Sequence, residues 1–160
     1  MKEKGFSLLE LIVVLIVISL SIALITPSVG RISKTLELKA AAKRISGILR
    51  YYRSESVQKG IVYQVCFDSN GRELRIQVAE TKEEEEQKGR QAPARFPLPQ
   101  GIQIKELNIP DPLYPADAPA VEFYANGGSN GGTITLDNQG VKGLRIRIHF
   151  LTGVVVIEEV

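Results

Sequence analysis

The sequence predicts an α+β fold in which one long N-terminal helix packs on a C-terminal antiparallel β domain with two sheets. Residues 6–59 carry apolar side chains at helical spacing, at first nearly without interruption and then at three- and four-residue steps. After Gly60, apolar and polar residues alternate in short segments separated by glycine turns, and no second helix pattern follows. A helix that covers an antiparallel sheet buries the apolar face of both elements.

Size and composition restrict the possible functions. The chain has 160 residues and a formal net charge of +2, a balance too mild to indicate nucleic-acid binding. Cys66 is the only cysteine, which excludes an internal disulfide and a zinc site built on thiolates. His149 is the only histidine, which disfavours histidine metal sites and a Ser-His-Asp triad. We therefore expect no metal, no cofactor and no catalytic site.

The first element is a predicted membrane segment at residues 6–27. Phe6 to Ile25 would make ~30 Å of helix, about the thickness of the hydrocarbon core. A cleavable secretory signal is disfavoured because "SIALITPSVG" lacks an A-x-A site. A plain anchor remains open, but Glu10 argues against it, since a carboxylate at the centre of such a helix costs ~2.5–3.5 kcal/mol and less near an end.

A partner for Glu10 would explain its position. If the chain were cut between Gly5 and Phe6, the new amine of Phe6 would lie one helical turn from the Glu10 carboxylate. That carboxylate would also sit at the positive end of the helix dipole. These residues suggest a helix that uses Glu10 to assemble.

The stretch "GFSLLELIVVLIVISLSIALITP" resembles the class III signal of type IV pilins and type II secretion pseudopilins. In that family a prepilin peptidase cuts after the glycine and methylates the new N-terminal residue. The resemblance implies a leader of residues 1–5, cleavage between Gly5 and Phe6, N-methylation of Phe6 and an assembly role for Glu10. It also implies the type IV pilin-like fold, with a helix bend near Pro27.

Residues 28–60 form the amphipathic half of the same helix, which we expect to be ~80 Å long and kinked or loosened near Pro27 and Gly30. This half should cover a face of the sheet, and the membrane half should pack against other subunits. The apolar positions are Ile32, Leu36, Ile45, Ile48, Leu49 and Tyr52. The polar positions are Lys34, Lys39, Lys43, Arg44, Arg50 and Arg53.

The β domain spans residues 61–160, with about seven strands expected. "IVYQVCF" and "ELRIQV" predict a hairpin around a turn at 68–71. The further candidates are "GIQIKEL", "AVEFY", "GTITLD", "LRIRIHF" and "VVVIEE". Seven of the eight prolines lie between Pro93 and Pro119, so residues 79–119 should be loop except for a strand at 102–107.

Two loops have compositions found in ligand-binding sites, but each fits a simpler interpretation. The acidic run "EEEE" at 83–86 could bind a cation, although no ligand spacing surrounds it and a solvated loop tip is favoured. "NGGSNGG" at 126–132 lacks the lysine and helix of a phosphate loop, which favours a flexible connection between strands.

Strand alternation places the remaining candidates. In "LRIRIHF", alternate residues Leu144 to Phe150 should form the apolar face. Arg145, Arg147 and His149 should form the other face, which could contact an anion or a partner but is more simply solvated. Cys66 should be a small packed hydrophobe.

The segments "LELKAAAKRISGILRYYRSESVQKGIVYQVCFD" and "GGTITLDNQGVKGLRIRIHFLTGVVVIEEV" resemble the family that contains type II secretion protein H and related fimbrial minor pilins. The resemblance implies a minor pseudopilin at or near the tip of a periplasmic pseudopilus that supports protein export. It would sit in the bacterial inner membrane by a single pass, with its C-terminal domain in the periplasm. Its partners would be other pseudopilins through the N-terminal helix, the prepilin peptidase and the inner-membrane assembly platform.

Two alternatives remain. One is a minor type IV pilin that serves fibre priming or DNA uptake. DNA uptake is disfavoured because Val154 and Val156 stand where related DNA binders carry arginines, and Glu158 and Glu159 follow. The other is a membrane-anchored periplasmic enzyme, for which the sequence shows no nucleophile, base and orienting group together.

Overall fold

The computed structural model describes residues 7–68, 70, 72–79 and 94–160, apart from the side chains of residues 23–29. The predicted processing residues Gly5 and Phe6, the acidic run 83–86 and two residues of the predicted turn at 68–71 lie outside that part. The described residues contain one helix and eight strands. These are α1 (Leu8–Lys59), β1 (Tyr63–Phe67), β2 (Glu73–Val78), β3 (Ala94–Pro97), β4 (Gln103–Asn108), β5 (Ala120–Phe123), β6 (Gly132–Asp137), β7 (Leu144–Ile148) and β8 (Val155–Glu159).

The strands form two four-stranded antiparallel sheets, as predicted. Sheet A has the order β3-β2-β1-β5, and sheet B has the order β4-β6-β7-β8. Helix α1 packs against β1 and β5 of sheet A and against β6, β7 and β8 of sheet B. The apolar core therefore lies between one helix and the inner faces of both sheets, which confirms the predicted α+β fold.

Helix α1 is a single element. Ser7 caps its start, and Gly60, with φ 68°, ends it in the left-handed conformation that glycine adopts without strain. The helix is continuous through Pro27 and Gly30, so the predicted loosening there does not break it. Within the described residues, no helix is both long and apolar enough to cross a membrane. The predicted membrane segment 6–27 begins at a residue outside the described part and ends among side chains that are not described.

The buried face of α1 begins later along the helix than predicted. Ile32 and Leu36 are 60% and 62% exposed, which contradicts their placement on the covered face. The later predicted positions are confirmed, since Ile45 and Leu49 are buried and Ile48 and Tyr52 pack against the core. The fully buried series at three- and four-residue steps is Leu38, Ala41, Ala42, Ile45 and Leu49. The prediction was wrong at the start of the face because a hydrophobic pattern shows where apolar residues recur, but not where the sheets begin to cover the helix.

Strand β3 contradicts the prediction that residues 79–101 are loop. It pairs with β2 in register from Glu73 opposite Pro97 to Ile76 opposite Ala94, at the edge of sheet A. Proline lacks the N–H that a central strand must donate, and it is tolerated on an edge. The predicted strand in this region is confirmed as β4.

The remaining part of the proline-rich region covers the outer face of sheet A. We call residues 109–119 the proline segment. The Glu122 carboxylate accepts hydrogen bonds from the backbone N–H groups of Leu113 at 2.8 Å and Tyr114 at 2.9 Å. Gln64 Nε2 donates to the carbonyl oxygens of Tyr114 and Pro115. Strands β1 and β5 are consequently buried at every position, on both faces.

The loop at 126–132, which we expected to be flexible, is largely buried. Asn130 accepts from the Glu122 N–H at 2.9 Å and donates to the carbonyl oxygens of Ala120 and Pro110. At Gly132, with φ 133°, an added Cβ would lie 2.8 Å from the Asn108 carbonyl oxygen. The glycines of this loop therefore allow its backbone to pack closely, and they do not indicate flexibility.

Strand β7 confirms most of the predicted alternation. Leu144, Ile146 and Ile148 are buried, and Arg147 on the opposite face pairs with Glu158 at 2.8 Å. Phe150 contradicts the prediction, because it is 63% exposed. The strand ends at Ile148, and a tight turn follows in which Gly153 N–H donates to the carbonyl oxygen of the exposed His149 at 2.8 Å. The alternation of a strand does not continue through a turn.

Candidate functional site: the N-terminal half of the helix

The start of α1 contains Glu10, the predicted assembly residue. Ser7 Oγ accepts the N–H of Leu9 at 3.3 Å, and the Ser7 carbonyl accepts the N–H of Leu11 at 3.2 Å. Glu10 lies in the first turn and is exposed. Its carboxylate makes no hydrogen bond or ion pair within the described residues. The helix N-terminus favours a negative charge, but the described residues supply no counter-charge.

The sequence around Glu10 is also compatible with a local role at the start of α1. Ser7 and Glu10 have the spacing of a capping box, in which the glutamate accepts the N–H of the capping serine. The serine half of that motif is present, since Ser7 Oγ caps the helix. The reciprocal hydrogen bond from the Ser7 N–H to Glu10 is absent from the described part of the chain. Glu10 therefore stays available to a group outside it.

The side chains that follow Glu10 are apolar on every side of the helix. From Leu8 to Ile22 the large apolar residues are 44–78% exposed. A helix that is apolar all round is buried in a protein core or a membrane, since exposing it to water would be unfavourable. The hydroxyls of Ser19 and Ser21 each donate at 2.8 Å to the carbonyl four residues earlier, so they are satisfied without water. No described residue covers this surface.

Polar residues fix the second half of α1 to the β domain, a role that the sequence analysis missed. Arg50 Nη2 donates to the Val155 carbonyl oxygen at 2.8 Å, and Arg53 Nε donates to Thr152 O at 2.8 Å and Gly127 O at 3.1 Å. The sequence pattern places both arginines only on the polar side of the helix. Long cations in the middle of a helix give no sequence signal that separates these two roles.

A second set of contacts joins α1 to the loop between β6 and β7. Asn138 Nδ2 donates to the Lys34 carbonyl oxygen at 3.1 Å and to Glu37 Oε2 at 3.4 Å. Lys34 Nζ donates to the Gln139 carbonyl oxygen at 2.9 Å. These contacts attach the β domain to α1 from Lys34 onward.

The other candidate residues do not form a reactive site. Cys66 is a free, buried thiol on the outer face of β1, as predicted, and burial raises its pKa to about 11. Burial and the neighbouring Glu122 carboxylate raise the pKa of Tyr124 to about 12. Both groups therefore stay protonated at neutral pH. In the part of the chain that the structure describes, no three His, Cys, Asp or Glu residues are grouped to hold a metal ion.

Comparison with known families assigns this architecture. Residues 41–152 match the family described as type II transport protein GspH. The chain belongs to the GspH family. Residues 1–26 separately match the prokaryotic N-terminal methylation motif, which includes Gly5, Phe6 and Glu10. Among curated GspH-like proteins, type II secretion system protein H of Xanthomonas campestris pv. campestris is 25% identical over 152 residues, covering 94% of this chain and 80% of its own.

Solved structures confirm the fold. The minor pseudopilin EpsH of Vibrio cholerae aligns with a TM-score of 0.59 and 18% identity, over 77% of this chain and 97% of that one. The type IV minor pilin FimU of Pseudomonas aeruginosa aligns with a TM-score of 0.57 and 19% identity, over 79% and 92%. The two scores are close, so the fold alone does not separate a secretion subunit from a pilus subunit.

Proposed function

We propose that this GspH family member is a minor pseudopilin, a structural subunit at or near the tip of a periplasmic pseudopilus that supports protein export. The name of the Xanthomonas relative and the family description both support secretion. The proposal assigns no catalysis to the chain. It makes the chain a substrate of the prepilin peptidase, which cuts between Gly5 and Phe6 and methylates Phe6, in accord with the matched methylation motif.

The observation that carries the proposal is an unpaired carboxylate at the start of a helix that is apolar all round. In a bilayer, apolar helices gain little from one register over another, because lipid is as apolar as the side chains. A charge in the membrane requires a partner. The Phe6 amine of an adjacent subunit would pair with Glu10 and so select one axial position for each new subunit.

The same proposal places the chain in the inner membrane by a single pass before assembly, with residues 28–160 in the periplasm. The sequence from Phe6 to Ile25 supports this location, together with the methylation motif. The inner-membrane assembly platform would then move the subunit into the pseudopilus, where neighbouring helices replace lipid around residues 8–22.

Replacing Glu10 tests the assembly role. Glu10→Val should leave cleavage and membrane insertion intact but strongly reduce incorporation into the pseudopilus and export by the host's secretion system. Ser19→Val is the matched control, since it removes a polar group from the same helix without removing a charge. Incorporation is measured by cross-linking to neighbouring pseudopilins in sheared fibres, and cleavage is measured by mass spectrometry of the N-terminus.

Normal export by the Glu10→Val chain would contradict the proposal. A minor type IV pilin is the second candidate, favoured by the similarity in fold to FimU. In a strain that lacks the chain, loss of export with intact pili supports the pseudopilin. Loss of pili with intact export supports the pilin.

A further inference from the structure

A cleft lies where the loop between β6 and β7 meets α1. It has a volume of about 300 Å³, within the range of ligand pockets. One wall is a single face of α1, formed by Arg31, Thr35 and Lys39 at four-residue spacing. The opposite wall is the loop from Val141 to Gly143 and the end of β8 at Glu159. The buried side chains of Leu38 and Leu144 also line it.

The opposite wall is held in place before any ligand arrives. Asn138 and Lys34 connect the loop to the helix backbone by the hydrogen bonds described above. The Val141 N–H donates to the Asn138 carbonyl oxygen at 3.2 Å, and the N–H of Val160 donates to the Gly143 carbonyl at 3.2 Å. The two walls therefore keep their separation, and a ligand would not have to order the loop.

The charge of the cleft favours an anion. Arg31, Lys39 and Lys142 contribute three cations, against the single carboxylate of Glu159. Glu159 lies 3.7 Å from Lys39 Nζ, in an exposed ion pair of low strength. Within the described residues, no carboxylate lies within ion-pair distance of Arg31 or Lys142. Two cations on opposite walls thus remain unpaired across a cleft with apolar residues in its lining.

The position of the cleft along the helix indicates the source of the anion. Arg31 follows the last apolar residue of the predicted membrane segment, Ile25, by six residues, roughly 9 Å along a helix axis. The headgroup layer of a bilayer is roughly 5–7 Å thick on each side. Helical side chains point back toward the N-terminus, so the guanidinium of Arg31 is directed toward that layer.

We propose that this cleft binds the phosphate of an anionic phospholipid from the membrane in which the chain is embedded. Arg31 and Lys142 contact the phosphate oxygens from opposite walls, and the part of the headgroup beyond the phosphate, which points away from the bilayer, extends along the cleft toward Thr35 and Leu38. The bound lipid stabilises the β domain at the membrane surface before the subunit is assembled. This inference depends on the proposed membrane location of the helix, and not on a role in secretion.

The test uses the full chain reconstituted in two bilayers, phosphatidylcholine alone and phosphatidylcholine mixed with phosphatidylglycerol. The readout is amide hydrogen exchange in the loop at 138–144. We expect exchange several-fold slower in the anionic bilayer. The Arg31→Gln, Lys142→Gln double variant should lose this difference. The matched control, Arg72→Gln with Lys105→Gln, removes two exposed cations elsewhere and should keep it. Glu159→Gln should enlarge the difference, since it removes the negative charge at the cleft.

Each negative result contradicts a different part of the proposal. Extraction of the chain by alkaline carbonate would contradict the membrane location itself. Firm insertion with no effect of phosphatidylglycerol on the loop, or equal losses in the double variant and its control, would overturn the cleft proposal alone. If inorganic phosphate slowed hydrogen exchange in the loop equally in phosphatidylcholine bilayers, the ligand would be a free phosphate and not a lipid.

Discussion

The two halves of α1 belong to one continuous helix but differ in what surrounds them. Between Leu8 and Ile22 the large apolar side chains are 44–78% exposed, and the serine hydroxyls bond only within the helix. Between Leu38 and Leu49 the side chains that face the sheets are at most 2% exposed. Arginines and Ser56 beyond them donate to carbonyls of the β domain.

This contrast separates two kinds of apolar surface in one element. The second half is amphipathic, so its own chain can cover its apolar face. The first half is apolar all round, so no single β domain could cover it. The amphipathic surface therefore serves folding, whereas the all-round apolar surface with its unpaired carboxylate is the one that we propose for association. Substitutions of the same type in each half should have effects of very different size on the free energy of unfolding.

The largest difference is expected for leucine. Leu49→Ala should lower the free energy of unfolding by ~2–5 kcal/mol, because Leu49 is fully buried and its loss leaves a cavity in the core. Leu15→Ala should change it by less than ~0.5 kcal/mol, because Leu15 is 56% exposed and its truncation leaves no cavity in the core. Urea unfolding of the full chain in an uncharged detergent, followed by circular dichroism, measures both. Equal effects would show that the first half folds together with the β domain.

A smaller difference is expected for serine. Ser56 Oγ lies 2.6 Å from the Ile61 carbonyl oxygen and 2.7 Å from that of Phe123, in a fully buried position at the helix end. Ser56→Ala removes the hydroxyl proton that these two carbonyls share and should cost ~1–3 kcal/mol. Ser19→Ala removes a hydroxyl that also donates to a carbonyl, but at an exposed site, and should change stability by less than ~0.5 kcal/mol. The same urea titration compares the two variants. A loss of stability at Ser19 as large as at Ser56 would contradict the division of α1 into two halves.

Local patterns were sufficient to predict much of this fold. Alternation in "ELRIQV" and "GTITLD" predicts β2 and β6, and Gly60 predicts the end of α1, because each depends on neighbours within a few residues. The apolar character of the first half of α1 is also plain from the sequence, since residues 11–22 carry only two polar side chains, Ser19 and Ser21. Strand β3 was not predictable, because its pairing with β2 depends on which backbone lies free at the edge of a sheet.

Long-range polar contacts were not predicted either, because they also depend on residues that are distant in the sequence. Strand alternation directs the Glu122 side chain outward from β5, so this pattern alone predicts a solvated carboxylate. It is buried because the proline segment folds back over it and donates two N–H groups to its carboxylate. Arg53 is similar, since its acceptors lie 74 and 99 residues away in the chain. No pattern over ten residues carries that information.

The smallest difference is expected for glycine, and it tests where the two halves of α1 divide. Gly47 is an exposed residue inside the helix, and an added Cβ would meet nothing within 4 Å. Gly47→Ala should raise the free energy of unfolding by ~0.5–1 kcal/mol, because alanine has less backbone entropy to lose. An added Cβ at Gly30 meets equally open space. Gly30→Ala should nevertheless change little, since α1 before Lys34 should stay helical in detergent when the β domain unfolds. An equal gain at both glycines in the urea titration would show that residues near Gly30 unfold with the β domain, and the division would then lie closer to Ile22.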